Sequence, residues 1–284
     1  MMPCAPAEQV LRTARTGLLE TMVTQEGAGA RWIHRLGTDA PRDFVELPIQ
    51  RIDRDGVCWG HGSTTERSYR TCTTQGLTEI LPVARPATLE KIGLLWGQAV
   101  RAVHEQKRSG LEGQAPRTLL RAERWITGRW RPMLDVLGAR RAAQLERWAQ
   151  HIGPHTPETI FVHGSPGMAH WTLNEEATAG ALLTGEDTGL AHPAYDLAWI
   201  YGELAELAAF YPSRRPALYR LRSGIAQGYG ADLDPQHLRT GIAYRLVQHA
   251  FDWHHYAGAA LPHAQLLITE ALNYLDHPQQ EEWL

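Results

Sequence analysis

The stretch from Ile160 to Leu207 gathers residue types that do proton and cation chemistry. His163 and His170 carry imidazoles that titrate near neutrality, so either can serve as a general base. Glu186 and Asp187 offer carboxylate oxygens that reach a cation if the segment Thr184-Gly185-Glu186-Asp187 turns back on itself. As a plain polar turn, the same segment would leave both acids in water. Gly60-His61-Gly62-Ser63 is a second candidate, because glycines let backbone N–H groups approach an anion. A Gly-x-Gly in a hairpin is far more often a simple turn, which is the expected reading here. His249, His254, His255 and His263 look clustered, but the first spacings are five and six. A spacing of four puts two imidazoles on one helix face, so these read as helix-surface residues and no metal-ligating set is expected. Residues 117–147 hold eight arginines against three acids, with Trp125, Trp130 and Trp148 interleaved. Arg and Trp dominate binding hot spots. Arg124, Trp130 and Arg131 are therefore the candidates for contact with a peptide or protein partner. The competing reading is a solvated helical face with tryptophans in the core.

The elements that must position these residues change character near residue 88. Before it, apolar residues come in short bursts: Asp43 to Ile52, which alternates and ends at a turn signal, then Val57–Trp59, Ser68–Cys72 and Leu77–Leu81. These predict short antiparallel strands with turns. The opening stretch from about Ala7 to Met22 is expected to be more helical. After Pro86, Leu89, Ile92, Leu95, Trp96, Ala99 and Val103 form one stripe at helical spacing. Further helices are predicted over 118–126, 140–152 and 195–209, with two or three more between 215 and 275. Short strands are predicted at 159–162, 171–173 and 180–183. The layout is α+β and bilobal, with a β-rich N-lobe over 1–88 and a mainly helical C-lobe over 89–284.

Composition sets outer bounds. A chain of 284 residues with 43% hydrophobic residues builds a core without staples. A net charge of −3 argues against a nucleic-acid or anionic-membrane partner. Three cysteines without a CxxC pair predict reduced thiols and a cytoplasmic location. No signal peptide or membrane-spanning run is found.

Read together, Phe161-Val-His163-Gly164-Ser165, the Thr184-Gly-Glu186-Asp187 segment and Pro193-Ala-Tyr-Asp196-Leu-Ala198 resemble the catalytic core of the aminoglycoside phosphotransferase and choline kinase superfamily. The resemblance covers about 50 residues well and is weak before residue 88. It implies a protein-kinase-like fold, in which His163 and Asp196 anchor the catalytic loop. It also implies where the chemistry should sit, and there the chain departs from the pattern. The base position falls on Ser165, which holds no charge at pH 7. The Asn position falls on His170, a poor ligand for a hard cation. The metal-binding Asp position falls on Thr184. Phosphoryl transfer also asks for a lysine on the phosphates, and residues 1–90 contain none. In this frame Asp196 lies buried beneath the loop, accepting backbone or His163 hydrogen bonds, and Ser165 sits at the open mouth of the cleft.

A narrower resemblance rests on Leu182–Asp187, Asp196–Leu207, Gly76–Ile80 and the Arg- and Trp-rich helix at 121–130. These are similar to kinase-like subunits of class V lanthipeptide and thioamitide biosynthesis. That implies a bacterial peptide-tailoring role, a precursor peptide as ligand and a lyase as partner. The expected function is a degenerate, pseudokinase-like phosphotransferase subunit with no cofactor. The alternatives are an active ATP- and Mg²⁺-dependent enzyme rebuilt around His163, Glu186 and Asp187, acting on a peptide or a hydroxylated small molecule, and a pure scaffold.

Overall fold

The computed structural model describes residues 9–47, 53, 55–108, 110–174 and 176–277. The chain begins with three strands, β1 (Val10–Arg15), β2 (Leu19–Glu26) and β3 (Gly29–Leu36). The helical expectation for 7–22 is thus corrected. Thr16 Oγ1 accepts from the Leu18 and Leu19 amides and closes a tight turn. Once β2 pairs along its length with β3, the strand ladder overrides the local helix-forming Leu, Ala and Arg content. Strands β4 (Val57–Trp59), β5 (His61–Gly62), β6 (Glu66–Thr71) and β7 (Gln75–Gly76) follow. One antiparallel sheet has the order β1-β2-β3-β6-β5.

Two other expectations in this half need correction. Residues 43–47 form no strand, because the amides of Phe44 and Val45 donate to the carbonyls of Thr64 and Glu186 rather than to a ladder. The rest of that stretch, 48–52, lies outside the described residues. Leu77–Ile80 is a short helix, α1, where a strand was expected. Glu79 reaches back to the Gly76 amide at 2.8 Å, the reciprocal half of a capping box.

The second half is helical: α2 (Pro86–His104), α3 (Arg117–Thr127), α4 (Arg131–Leu137), α5 (Ala139–His151), α6 (Ala194–Phe210), α7 (Arg215–Tyr229), α8 (Pro235–Tyr256) and α9 (Leu261–Asp276). Between α5 and α6 lie β8 (Ile160–Val162), β9 (Trp171–Leu173), β10 (Gly180–Thr184) and β11 (Gly189–Ala191). Strands β4-β10-β9-β7 form a mixed sheet, with β4 parallel to β10, and β11 pairs with β8. The helices α2 and α7 approach closely at Gly93, Gly97, Gly224 and Gly228, where any Cβ would strike the facing backbone. That contact fixes α2, whose last residue, His104, reaches the functional region. Among the described residues, no helix is long and apolar enough to cross a membrane.

Candidate functional site

The loop between β8 and β9 is held from below by Asp196 on α6. Its Oδ2 accepts from the His163 amide at 2.7 Å, and its Oδ1 accepts from the Gly164 amide at 2.9 Å. His104 Nε2 lies 3.0 Å from Oδ2. Asp196 has no exposed surface. His163 is locked as well. Its Nε2–H donates to the Leu183 carbonyl at 2.9 Å, and its Nδ1 accepts from the Ser165 amide at 3.2 Å. Burial, reinforced by His170, pushes its pKa down to about 4. Both ring nitrogens of His163 are thus committed to hydrogen bonds within the protein.

Ser165 is not at an open mouth. It is 5% exposed, and its hydroxyl donates to Asp187 Oδ2. Asp187 is also gripped by the Arg117 guanidinium at the start of α3. Burial opposes its ionisation, but Arg117 and then Arg121 outweigh that and hold its carboxyl below the ordinary range. Thr184 is fully buried, and its hydroxyl donates to the Leu182 carbonyl of its own strand at 2.9 Å. It takes no part in the cleft. Gly185 has φ +123°, a conformation that L side chains rarely adopt. The chain turns there, and Glu186 and Asp187 enter the interior at 2% and 4% exposure. The solvated-turn reading of these two acids is therefore corrected.

Glu186 is the centre of a second cluster. Tyr69 of β6 donates its hydroxyl to Oε1 at 2.6 Å. His34 of β3 is in short hydrogen-bond contact with the same oxygen through Nδ1. His170 Nε2 lies 3.4 Å from Oε2. Burial opposes the charge on Glu186, yet His34 and His170 hold its carboxyl well below the ordinary range. His34 and Tyr69 escaped the sequence reading, because they lie 152 and 117 residues from Glu186 and no local motif marks them. The one local hint is that His34 stands two residues from Trp32 and so shares its side of β3.

These groups floor a cleft of about 260 Å³ lined by Ser165, His170, Glu186, Asp187, Trp199 and Tyr256, among others. The turn between β1 and β2 covers one side of it, with the Gly17 amide donating to the Tyr256 carbonyl at 2.7 Å. Arg121 closes a buried, two-pronged ion pair with Asp252 at 2.8 and 3.3 Å. Glu206 is gripped by Arg245 at 2.8 Å and His249 at 2.6 Å. Burial opposes its ionisation, but His249 and Arg245 hold its pKa near about 2. A carboxylate depressed in this way stabilises the fold above the unfolded-state pKa and loses that contribution as pH falls through the folded value. The melting temperature should therefore decline as pH drops from about 4.5 towards about 2. In Glu206→Gln that acid limb should flatten, which melting scans across pH check directly.

The Arg- and Trp-rich stretch divides between core and surface. Arg117 and Arg121 point inward, and Trp125 and Trp148 are core. Trp130 is 9% exposed and stacks on His254. Arg131 is exposed and pairs with Asp135 at 3.0 Å. Arg124 is exposed, and its guanidinium donates to the Tyr256 hydroxyl at 2.6 Å on the rim of the cleft. The structure thus brings Ser165, His170, Glu186 and Asp187 together in the lining of the cleft, while Arg124 touches only its Tyr256 wall, and Thr184, Trp130 and Arg131 lie outside that lining. Gly60–Ser63 contains the strand β5 and leads into the hairpin turn at Ser63, whose Oγ accepts from the Thr65 and Glu66 amides.

No family model and no curated protein matches the chain. Solved structures do match. The aminoglycoside phosphotransferase APH(4)-Ia superposes with a TM-score of 0.56 at 11% identity, covering 95% of this chain and 94% of that one. The ethanolamine kinase of Plasmodium vivax gives 0.54 at 9% identity, over 95% and 84%. A choline/ethanolamine kinase family protein of Mesorhizobium loti gives 0.54 at 12% identity, over 95% and 90%. The chain therefore has the bilobal, protein-kinase-like fold of these phosphotransferases. At such identities the likeness is one of fold.

Proposed function

We propose that this chain is a phosphotransferase-fold subunit that has given up ATP-dependent phosphoryl transfer and uses its cleft to bind a peptide. The observation that carries this reading is the internal saturation of every group placed to do the chemistry. In the protein-kinase arrangement a lysine on the third strand meets the phosphates, and oxygen ligands hold Mg²⁺. Here β3 carries His34, which is bound to Glu186. Asp187 is neutralised by Arg117, and Ser165 is bound to Asp187. Trp32 fills the space beneath the strands, with Arg12 stacked over it and its indole N–H given to the Thr73 carbonyl at 3.1 Å. Thr73 belongs to the segment that leads from β6 into α1.

What remains open is the cleft between the first hairpin and α8, with Trp199, Trp253 and Tyr256 on its walls and Arg124 on its rim. Aromatic walls beside an arginine suit an extended peptide with an acidic or hydroxyl-bearing side chain. The motif likeness to kinase-like subunits of lanthipeptide and thioamitide biosynthesis makes that peptide a Ser- or Thr-containing precursor, presented to a partner lyase. The test is fluorescence anisotropy with the short Ser/Thr-containing peptide encoded nearest its gene. Arg124→Ala should weaken binding by ~2 kcal/mol, about 30-fold. Arg131→Ala should change it little. Equal affinities for wild type and Arg124→Ala would end the proposal for this surface.

A second reading has one observation in its favour. Glu186 and Asp187 converge in the cleft beside Ser165, as a rebuilt active site with ATP and Mg²⁺ would require. Nucleotide binding separates the two readings.

A further inference from the structure

Three metal-binding side chains from separate parts of the chain meet at the floor of the cleft: His34 on β3, His170 before β9, and Glu186 after β10. One donor atom from each lies within 4.8 Å of the others. All three are more than nine-tenths buried. We propose that His34, His170 and Glu186 form a zinc site, with its open coordination position facing the cleft. This inference stands on the geometry of the three donors and is independent of the peptide-binding reading.

The donor set disfavours a hard cation and suits a borderline divalent transition metal, of which zinc is the one proposed. Two imidazoles and one carboxylate are a common protein contribution to zinc centres that keep a fourth position free. Magnesium prefers an all-oxygen octahedral shell, which two imidazoles do not supply. The ligand arrangement fits as well. His34 Nδ1 and Glu186 Oε1 are in close hydrogen-bond contact, and the other ring nitrogen of His34, Nε2, has no hydrogen-bond partner. The imidazole is therefore held through the atom that faces the carboxylate. A zinc ion in place of the shared proton would move these two atoms to about 3.3 Å apart, the edge of a tetrahedron with bonds of about 2.0–2.1 Å. His170 Nε2 already stands 3.4 Å from Glu186 Oε2, within reach of the same centre. Tyr69 donates to Glu186 and supplies the outer hydrogen bond that orients a ligating carboxylate. The open position follows from exposure to the cleft, since His170 and Glu186 line it and His34 does not.

The competing zinc-binding surface is the histidine group on α8, where His254 and His255 are adjacent but pack on Trp130 and Phe251. The experiment uses the whole chain, free of any affinity tag and stripped by chelator, titrated with Zn²⁺ and separately with Co²⁺. One ion per chain is expected, with the intense visible bands of low-symmetry four- or five-coordinate Co²⁺, abolished by Zn²⁺. His34→Asn and His170→Asn should each weaken Zn²⁺ binding by more than about 100-fold, since even outer-shell losses cost 10–100-fold. His254→Asn/His255→Asn should leave it unchanged. Should the buried variants fail to fold by circular dichroism, zinc-edge absorption fine structure of the loaded wild type decides. Two imidazoles with oxygen ligands support the site. An all-oxygen shell or a shell of three or more imidazoles overturns it. So does the absence of stoichiometric Zn²⁺ binding, or unchanged binding by a folded His34→Asn variant.

Discussion

Asp196→Ala should lose about 4 kcal/mol of stability, because one fully buried carboxylate serves three partners. The His163 and Gly164 amides and the His104 ring all meet it, and it has no exposed surface. Hydrogen bonds to a charged group contribute ~1.5–3 kcal/mol each, and a donor left unpaired in the interior costs ~1–3 kcal/mol. Non-additivity within one cluster keeps the total below the sum. At roughly 2–4 °C per kcal/mol for a chain of this size, the melting temperature should fall on the order of 10 °C. Asp196→Asn offers a sharper comparison. The amide keeps one acceptor and turns its NH₂ towards a donor, so its loss should be of similar size despite nearly identical shape. Thermal melts of the two variants check this. A wild-type melting temperature for Asp196→Ala would mean that the loop is not anchored from α6.

Asp187→Ala should cost about 3–5 kcal/mol, for a different reason. It leaves the Arg117 guanidinium buried without a counter-charge, and breaking one side of a buried pair is far more costly than removing both. It also removes the acceptor of the Ser165 hydroxyl. The paired replacement Arg117→Met/Asp187→Leu should recover most of the loss, since apolar groups of similar volume replace buried ion pairs at little cost. Denaturant unfolding of wild type, the single and the double variant supplies the comparison. If Asp187→Ala is as stable as wild type, Asp187 is a free carboxylate rather than a structural one, and the rebuilt-enzyme reading gains ground.

The anchor of the loop was legible because its two parts are short motifs. His163-Gly164 and Pro193-x-x-Asp196 carry their spacing with them, and Asp196 accepts from the His163 and Gly164 amides. Most helices after Pro86 were legible from their apolar period, but α4 was not expected, and α8 is buried continuously from Arg239 to Gln248 rather than along one face. The first 36 residues were not, because β1 to β3 mix Arg, Thr, Leu and Ala and become strands only by pairing with one another. The site was legible by halves. Ser165, His170, Glu186 and Asp187 were all singled out, but their burial was not, because Gly185 and its positive φ decide which way the acids point. His34 and Tyr69 were invisible for a deeper reason: their role exists only after β3 and β6 are stacked over β10, and nothing within a sequence window encodes that. Thr184 shows the converse. It occupies the motif position for a metal ligand, and yet its hydroxyl turns back to its own strand.

On the proposed reading, the region that would handle phosphate is filled from within. Titration calorimetry of the wild-type chain with ATP in the presence of Mg²⁺ tests it most directly. With Trp32 beneath the strands, no lysine on β3, and Asp187 and Glu186 already paired, no saturable heat and no shift in melting temperature are expected. Micromolar binding that requires Mg²⁺ would contradict it, and would make Glu186 and Asp187 the ligands of a working active site.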